Sequence, residues 1–166
     1  MRRREVLALI GAAAFARPAT AQPPKTPMIG VLFGGSAALF TTAGLQPFLE
    51  GLGGSGYRDG ENITLVVRVA EGRYERLPSL AGELLGLQAA VIATFASAAT
   101  LATKAATGTT PVVFTMAADP VALGIVASLS RPGGNITGAT FLSIELLAKQ
   151  LELLHALLPT PKSSAF

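Results

Sequence analysis

Cysteine and tryptophan are absent from this 166-residue chain, and histidine occurs once, as His155. Without a thiol there is no disulfide framework, thiolate zinc site, iron–sulfur cluster, cysteine nucleophile or lipid carried on an N-terminal cysteine. A lone His155 with Glu152 as its near neighbour falls short of the three or four converging ligands that a metal requires. Serine-hydrolase chemistry lacks a Gly-x-Ser-x-Gly elbow and would have His155 as its one base. Charge is scarce as well, with 14% charged residues against 50% hydrophobic ones. The expectation is a protein with no catalytic residue, metal or cofactor.

What basic charge there is lies at one end. Arg2, Arg3 and Arg4 precede an apolar stretch from Val6 to Ala16, and Ala19, Thr20 and Ala21 follow with the small side chains of a cleavage site. This is the plan of a secretory signal peptide, and its apolar run is about half the roughly 20 residues of a spanning helix. Residues 1–21 are therefore expected to be removed on export to the periplasm; Arg3 and Arg4 also fit a twin-arginine route. Taking Arg2, Arg3, Arg4, Arg17 and Glu5 from the 13 basic and 10 acidic residues leaves nine of each. The mature chain is neutral, and a nucleic-acid partner loses its electrostatic basis.

After a Pro-rich linker at residues 22–27, short continuous apolar runs recur at Met28–Phe33, Ile63–Val69, Ala90–Phe95, Val112–Thr115 and Ile136–Thr140. Runs of this kind bounded by turn residues predict strands buried on both faces, as in parallel sheets. Between and after them, spacing of three to four predicts helices at Leu39–Gly53, Tyr74–Leu87, Ala98–Thr107, Val121–Leu129 and Ser143–Leu158. The alternation implies βαβ units, hence an α/β fold with a parallel sheet and helices on both faces. Leu147, Leu151, Leu154 and Leu158 form one stripe of the last helix, a core or self-association face. Residues 159–166 offer no further element.

The glycines from Gly51 to Gly56 match a G-x-G-x-x-G string, but they follow a helix and precede a strand. Pyrophosphate binding needs the opposite order, so these glycines are read as a helix stop. Two turns, at Gly60–Thr64 and Gly134–Thr137, share a glycine and an asparagine followed by β-branched residues, with Glu61 between Gly60 and Asn62 in the first. Of the carboxylates, Asp59, Glu61, Glu71, Glu75 and Glu83 are assigned to turns and solvated helix faces.

Ligands of open α/β sheets bind outside the carboxyl ends of the strands. Three such loops are small and polar: Gly34, Gly35, Ser36 and Ala37 after the first strand; Ala96, Ser97 and Ala98 after the third; and Thr115, Met116 and then Asp119 with Pro120 after the fourth. Their amides and hydroxyls, at starting helix termini, suit a carboxylate or another anionic head. Asp119 has two readings, a ligand contact or a cap for the next helix. A small enzyme using Asp119 as a base is the alternative to a binding protein.

The segments Gly56–Ile63, Ala70–Pro78, Lys104–Thr115 and Asp119–Gly138 together resemble, in order and spacing, the bacterial ABC-transporter substrate-binding proteins of the tryptophan/tyrosine-binding type. The resemblance covers nearly all of residues 28–158. It implies a type I periplasmic-binding-protein fold of two hinged α/β lobes that close on a small solute, often an amino acid, and deliver it to an ABC permease. It implies solute contacts from Gly35, Ser36, Ala96, Ser97, Thr115, Met116 and Asp119. Members are roughly twice this length, so the chain is expected to be one N-terminal lobe, residues 28–158, or a remnant pairing through its last helix.

Overall fold

The computed structural model describes residues 26–141 and 143–157. The expected leader, most of the linker, Leu158 and the tail lie outside the described residues. Five strands form one parallel sheet: β1 (Met28–Phe33), β2 (Thr64–Val69), β3 (Val91–Phe95), β4 (Val112–Met116) and β5 (Ile136–Thr140), in the order β2-β1-β3-β4-β5. All five predicted strands are present, and the sheet carries helices on both faces.

One face is covered by α1, which runs as α-helix over Ala37–Phe40, as a wider π-helical turn over Thr41–Leu45 and as α-helix again over Gln46–Gly54. Pro47 has no N–H to return to the carbonyl four residues back, which favours a distorted turn ahead of it. The hydroxyl of Thr41 donates to the Ala37 carbonyl at 2.8 Å, within the same stretch. Phe40, Phe48 and Leu52 of α1 pack on Ile29, Val31, Ala93 and Val67. The helix ends as read, at the glycines: the Ser55 amide donates to Gly51 and the Tyr57 amide to Leu52.

The opposite face is covered by α2 (Leu77–Gly86), entered through a 3-10 turn at Tyr74–Arg76, and by α3 (Ser97–Ala106). Leu77, Leu80, Ala81 and Leu84 of α2 bury against Leu32 and Ile92. Each Leu or Ile so buried contributes about 1.5–3 kcal/mol relative to exposure. The polar groups buried here are paired: Thr94 Oγ1 and Thr100 Oγ1 lie 2.9 Å apart, and Thr103 Oγ1 donates to the Ala99 carbonyl at 2.9 Å.

The helix expected over Val121–Leu129 does not form. The Leu123 amide does return to the Asp119 carbonyl, at 3.1 Å, but Gly124 follows at φ +64°, and the chain stops after one turn. The ammonium of Lys104 then donates to the carbonyls of Gly124 and Ile125. This lets Ile125 and Val126 turn inward onto Val112, Phe114, Met116 and Ile136. An apolar loop thus does the covering that a crossover helix was expected to do. Asp119 accordingly caps a turn, its Oδ1 accepting from the Val121 amide at 2.7 Å, and not a helix.

The last helix, α4 (Ser143–Leu157), is solvated on every side chain described, with Leu146, Leu147, Leu151, Leu153, Leu154 and Leu157 all exposed. No helix among the described residues is long and apolar enough to cross a membrane.

Candidate functional site

The chain steps outward from β1 to β2, returns past β1 to β3, and then continues in the other direction to β4 and β5. At this reversal the connections from the carboxyl ends of β1 and β3 diverge, which is where open α/β sheets leave a crevice. The register aligns Val69, Phe33, Phe95, Thr115 and Ala139 in one row across that edge. Parallel pairing puts row neighbours on the same face of the sheet. Phe33 and Phe95 therefore stand side by side at its rim.

A cavity of about 580 Å³ opens at this rim. Its wall is aromatic and apolar: Phe33 and Phe95 from the sheet, Phe40, Pro47 and Phe48 from α1, and Phe141 after β5. Phe33 and Phe40 stack with ring centroids 4.8 Å apart, and Phe95 meets Phe40 and Phe48 edge-on at 4.9 and 5.7 Å. Edge-to-face pairs at such distances add about 0.5–1.5 kcal/mol beyond burial, which makes the wall a rigid unit. Leu39 and Gly44 of α1 and Ala96, Thr115, Met116 and Ala117 complete the lining.

The backbone at this edge is distorted. Ala96, the residue before α3, has φ +74° and ψ 158°, a region that costs a residue with a side chain about 1–3 kcal/mol. Its amide is held by the Thr115 carbonyl at 2.9 Å, and it makes no side-chain cap for α3. At the start of α1, by contrast, Ser36 Oγ accepts from the Leu39 amide at 3.4 Å and both Glu71 carboxylate oxygens lie 3.3 Å from the Ala37 amide that donates to them. Glu71 is exposed, as expected for a solvated carboxylate, but it is committed to another loop and has φ +55°.

Of the residues singled out in the sequence, the structure brings Ala96, Thr115 and Met116 into the cavity wall. Gly35 and Ser36 are not in its lining; they form the turn into α1, Gly35 against the Phe33 ring, and Ser97 opens α3 next to Ala96, its hydroxyl 3.8 Å from Met116 Sδ. Asp119 is half-buried and engaged with the Val121 amide, three residues beyond β4. Sequence reasoning missed the phenylalanines. Their signal was present: Phe33 and Phe95 each close an apolar run before a small-residue loop, and Phe40, Gly44 and Phe48 recur at helical spacing.

A second hollow, of about 520 Å³, lies between Lys104, Gly124–Ala127 and Pro132–Ile136. Its polar groups are already committed, Lys104 to the Gly124 and Ile125 carbonyls and Asn135 Nδ2 to the Thr110 carbonyl at 2.6 Å. Among the described residues no three His, Asp or Glu side chains come together as a metal site would require.

Comparison with known proteins follows the same lines. A tyrosine-binding protein of Clostridioides difficile (strain R20291) is 34% identical over 116 residues, 69% of this chain and 33% of that protein. A conserved domain protein from Vibrio cholerae superposes with a TM-score of 0.74 at 31% identity, covering 82% of this chain and 45% of the other. An ABC domain from Streptococcus pneumonia solved with L-Trp gives 0.63 at 25% identity, covering 70% and 39%. The ligand-free, open form of a Clostridium difficile substrate-binding protein with adhesive properties gives 0.67 at 28%, covering 81% and 44%. The chain thus spans less than half the length of each of these proteins. The model of the family described as ABC transporter substrate binding protein matches residues 31–165, and the chain belongs to that family.

Proposed function

We propose that the chain is the first lobe of a solute-binding component of an ABC importer, working in the periplasm after export by the twin-arginine route and removal of residues 1–21, and delivering its solute to an inner-membrane permease. It binds and does not catalyse. The solute is an aromatic amino acid, and the observation that carries this is the phenylalanine wall of Phe33, Phe40, Phe48 and Phe95 at the carboxyl edge of the sheet. An aromatic side chain gains most from such a wall, through offset and edge contacts unavailable to a linear aliphatic chain. The ligands of two relatives, tyrosine and L-Trp, support the same class.

Polar recognition falls to the loop groups around it. The amides and hydroxyls of Gly35, Ser36, Ser97 and Thr115 meet the solute's amino and carboxylate groups, with Ala96 and Met116 as wall. The uncapped start of α3 suits the carboxylate. Asp119, tied to the Val121 amide, acts at most on the rim, which also weakens the alternative of an Asp119-based enzyme.

One lobe supplies one wall, whereas small-molecule sites bury about 70–90% of the ligand. The second wall belongs to the part of its relatives' length that this sequence does not span. A thermal-shift screen of the twenty amino acids tests the reading, run on this chain and on a version extended by a second lobe. A shift confined to tyrosine, tryptophan and phenylalanine is expected, larger in the extended protein. Indifference of the extended protein to every amino acid would overturn it.

A second reading concerns α4, whose leucines, including Leu147, Leu151 and Leu154, stand exposed. Two copies of the chain pair through this stripe. Sedimentation velocity across a concentration series would show a monomer–dimer shift that Leu151→Lys abolishes.

A further inference from the structure

We propose that Glu71 is a positioning residue of the cleft, acting through the Gly34–Ala37 turn on the groups that meet the solute's polar head; this rests on the reading of the cleft as a solute site. Glu71 does not line the cavity. It lies in the loop after β2, which is laid along the turn after β1 by two backbone bonds: the Ala70 amide donates to the Phe33 carbonyl at 2.9 Å and the Gly72 amide to the Gly34 carbonyl at 3.0 Å. Between those two bonds stands Glu71, with the Ala37 amide donating to its carboxylate at 3.3 Å from either oxygen.

The loop then places the Tyr74 ring over Gly34, so close that a side chain at Gly34 would come within 2.7 Å of it. Every residue from Phe33 to Ala37 except Gly35 and Ser36 is thus held by the loop after β2. Those two lie between the held residues, with Gly35 against the Phe33 ring of the wall.

Two features mark the contact as more than a surface accident. Glu71 keeps a left-handed backbone at φ +55°, where a side chain is disfavoured, and a carboxylate bonded to a first-turn helix amide offsets that cost. The contact also joins residues 34 apart in sequence, so it fixes one loop against another and not merely itself. Because α1 continues from this turn into Leu39 and Phe40, the same anchor sets where the polar groups lie relative to the aromatic wall. The wall has its own support in ring packing, so losing Glu71 unseats the turn and spares the rings.

The test uses the full 166-residue chain as wild type, Glu71→Ala and Glu71→Gln. Amide hydrogen exchange reads the turn without any ligand: Ala37 should exchange about tenfold faster in Glu71→Ala and less so in Glu71→Gln, while Thr100 and Thr103 stay unchanged. NMR titration then compares L-tryptophan with indole, which has the ring and no polar head. Glu71→Ala should weaken L-tryptophan by about fivefold or more and leave indole within about twofold, with Glu71→Gln restoring part of the loss.

Unchanged exchange at Ala37 overturns the proposal. Equal weakening of both probes also overturns it, since that is the result of a merely structural residue whose loss deforms the whole cleft. Silence of both probes on the wild type and on the version extended by a second lobe removes the solute reading itself, and the exchange measurement still decides whether Glu71 holds the turn.

Discussion

The sheet has a sheathed half and a bare half. Over β2, β1 and β3 it is covered on one face by α1 and on the other by α2 and α3, and Val31, Leu32 and Ile92 are fully buried. Over β4 and β5 one face is covered by the Ile125–Val126 loop, whereas on the other Val113 is 43% exposed and Thr137 and Ala139 are open to solvent. The cavity lies on the border between the two, with α1 as one side and the end of β4 as the other. A site of this kind takes its rigidity from the sheathed half and its access from the bare one.

Truncations measure the contrast most directly. Leu84→Ala, at a fully buried position of α2, should lower unfolding free energy by about 2–5 kcal/mol in urea titrations. Val113→Ala on the bare face should change it by no more than about 0.5 kcal/mol. Comparable losses at the two positions would mean that something covers β4 and β5 in solution.

Gly138 sharpens the comparison from the bare side. A β-carbon there would lie 2.1 Å from the Phe114 carbonyl oxygen, so Gly138→Ala should separate β5 from β4 at a cost of about 1–3 kcal/mol. Hydrogen exchange should rise at Thr137 and Ala139 and stay level in β1. Ala96→Gly, on the border, should raise stability by about 1 kcal/mol by relieving the strained φ, and thermal melting reads it. The ion pair of Arg68 with Glu83, at 2.8 Å on the sheathed half and partly solvated, should matter least. Its removal should cost under about 1 kcal/mol, and less at high salt.

Most of the architecture was legible because parallel strands buried on both faces are written as continuous apolar runs, and all five were found. The helix at Val121–Leu129 was misread because its composition is apolar throughout; what stops it is the backbone of Gly124 and the reach of Lys104, neither visible in a hydrophobic pattern. The site was legible in part. Loop position and small residues pointed to Ala96, Thr115 and Met116, but Phe33 and Phe95 were read only as the ends of buried strands, and Phe40 is indeed almost wholly buried. Glu71 could not be found at all, since its contact with Ala37 is a product of tertiary pairing.

The residues that border the cavity from the sheet stand at the last two positions of their strands or in the connection that follows. The paired register runs up to this rim, with Phe33, Phe95 and Thr115 still in it. Because backbone groups make the ladder and side chains make the lining, exchange of these few side chains can reshape the cleft while the strands beneath go on pairing as before.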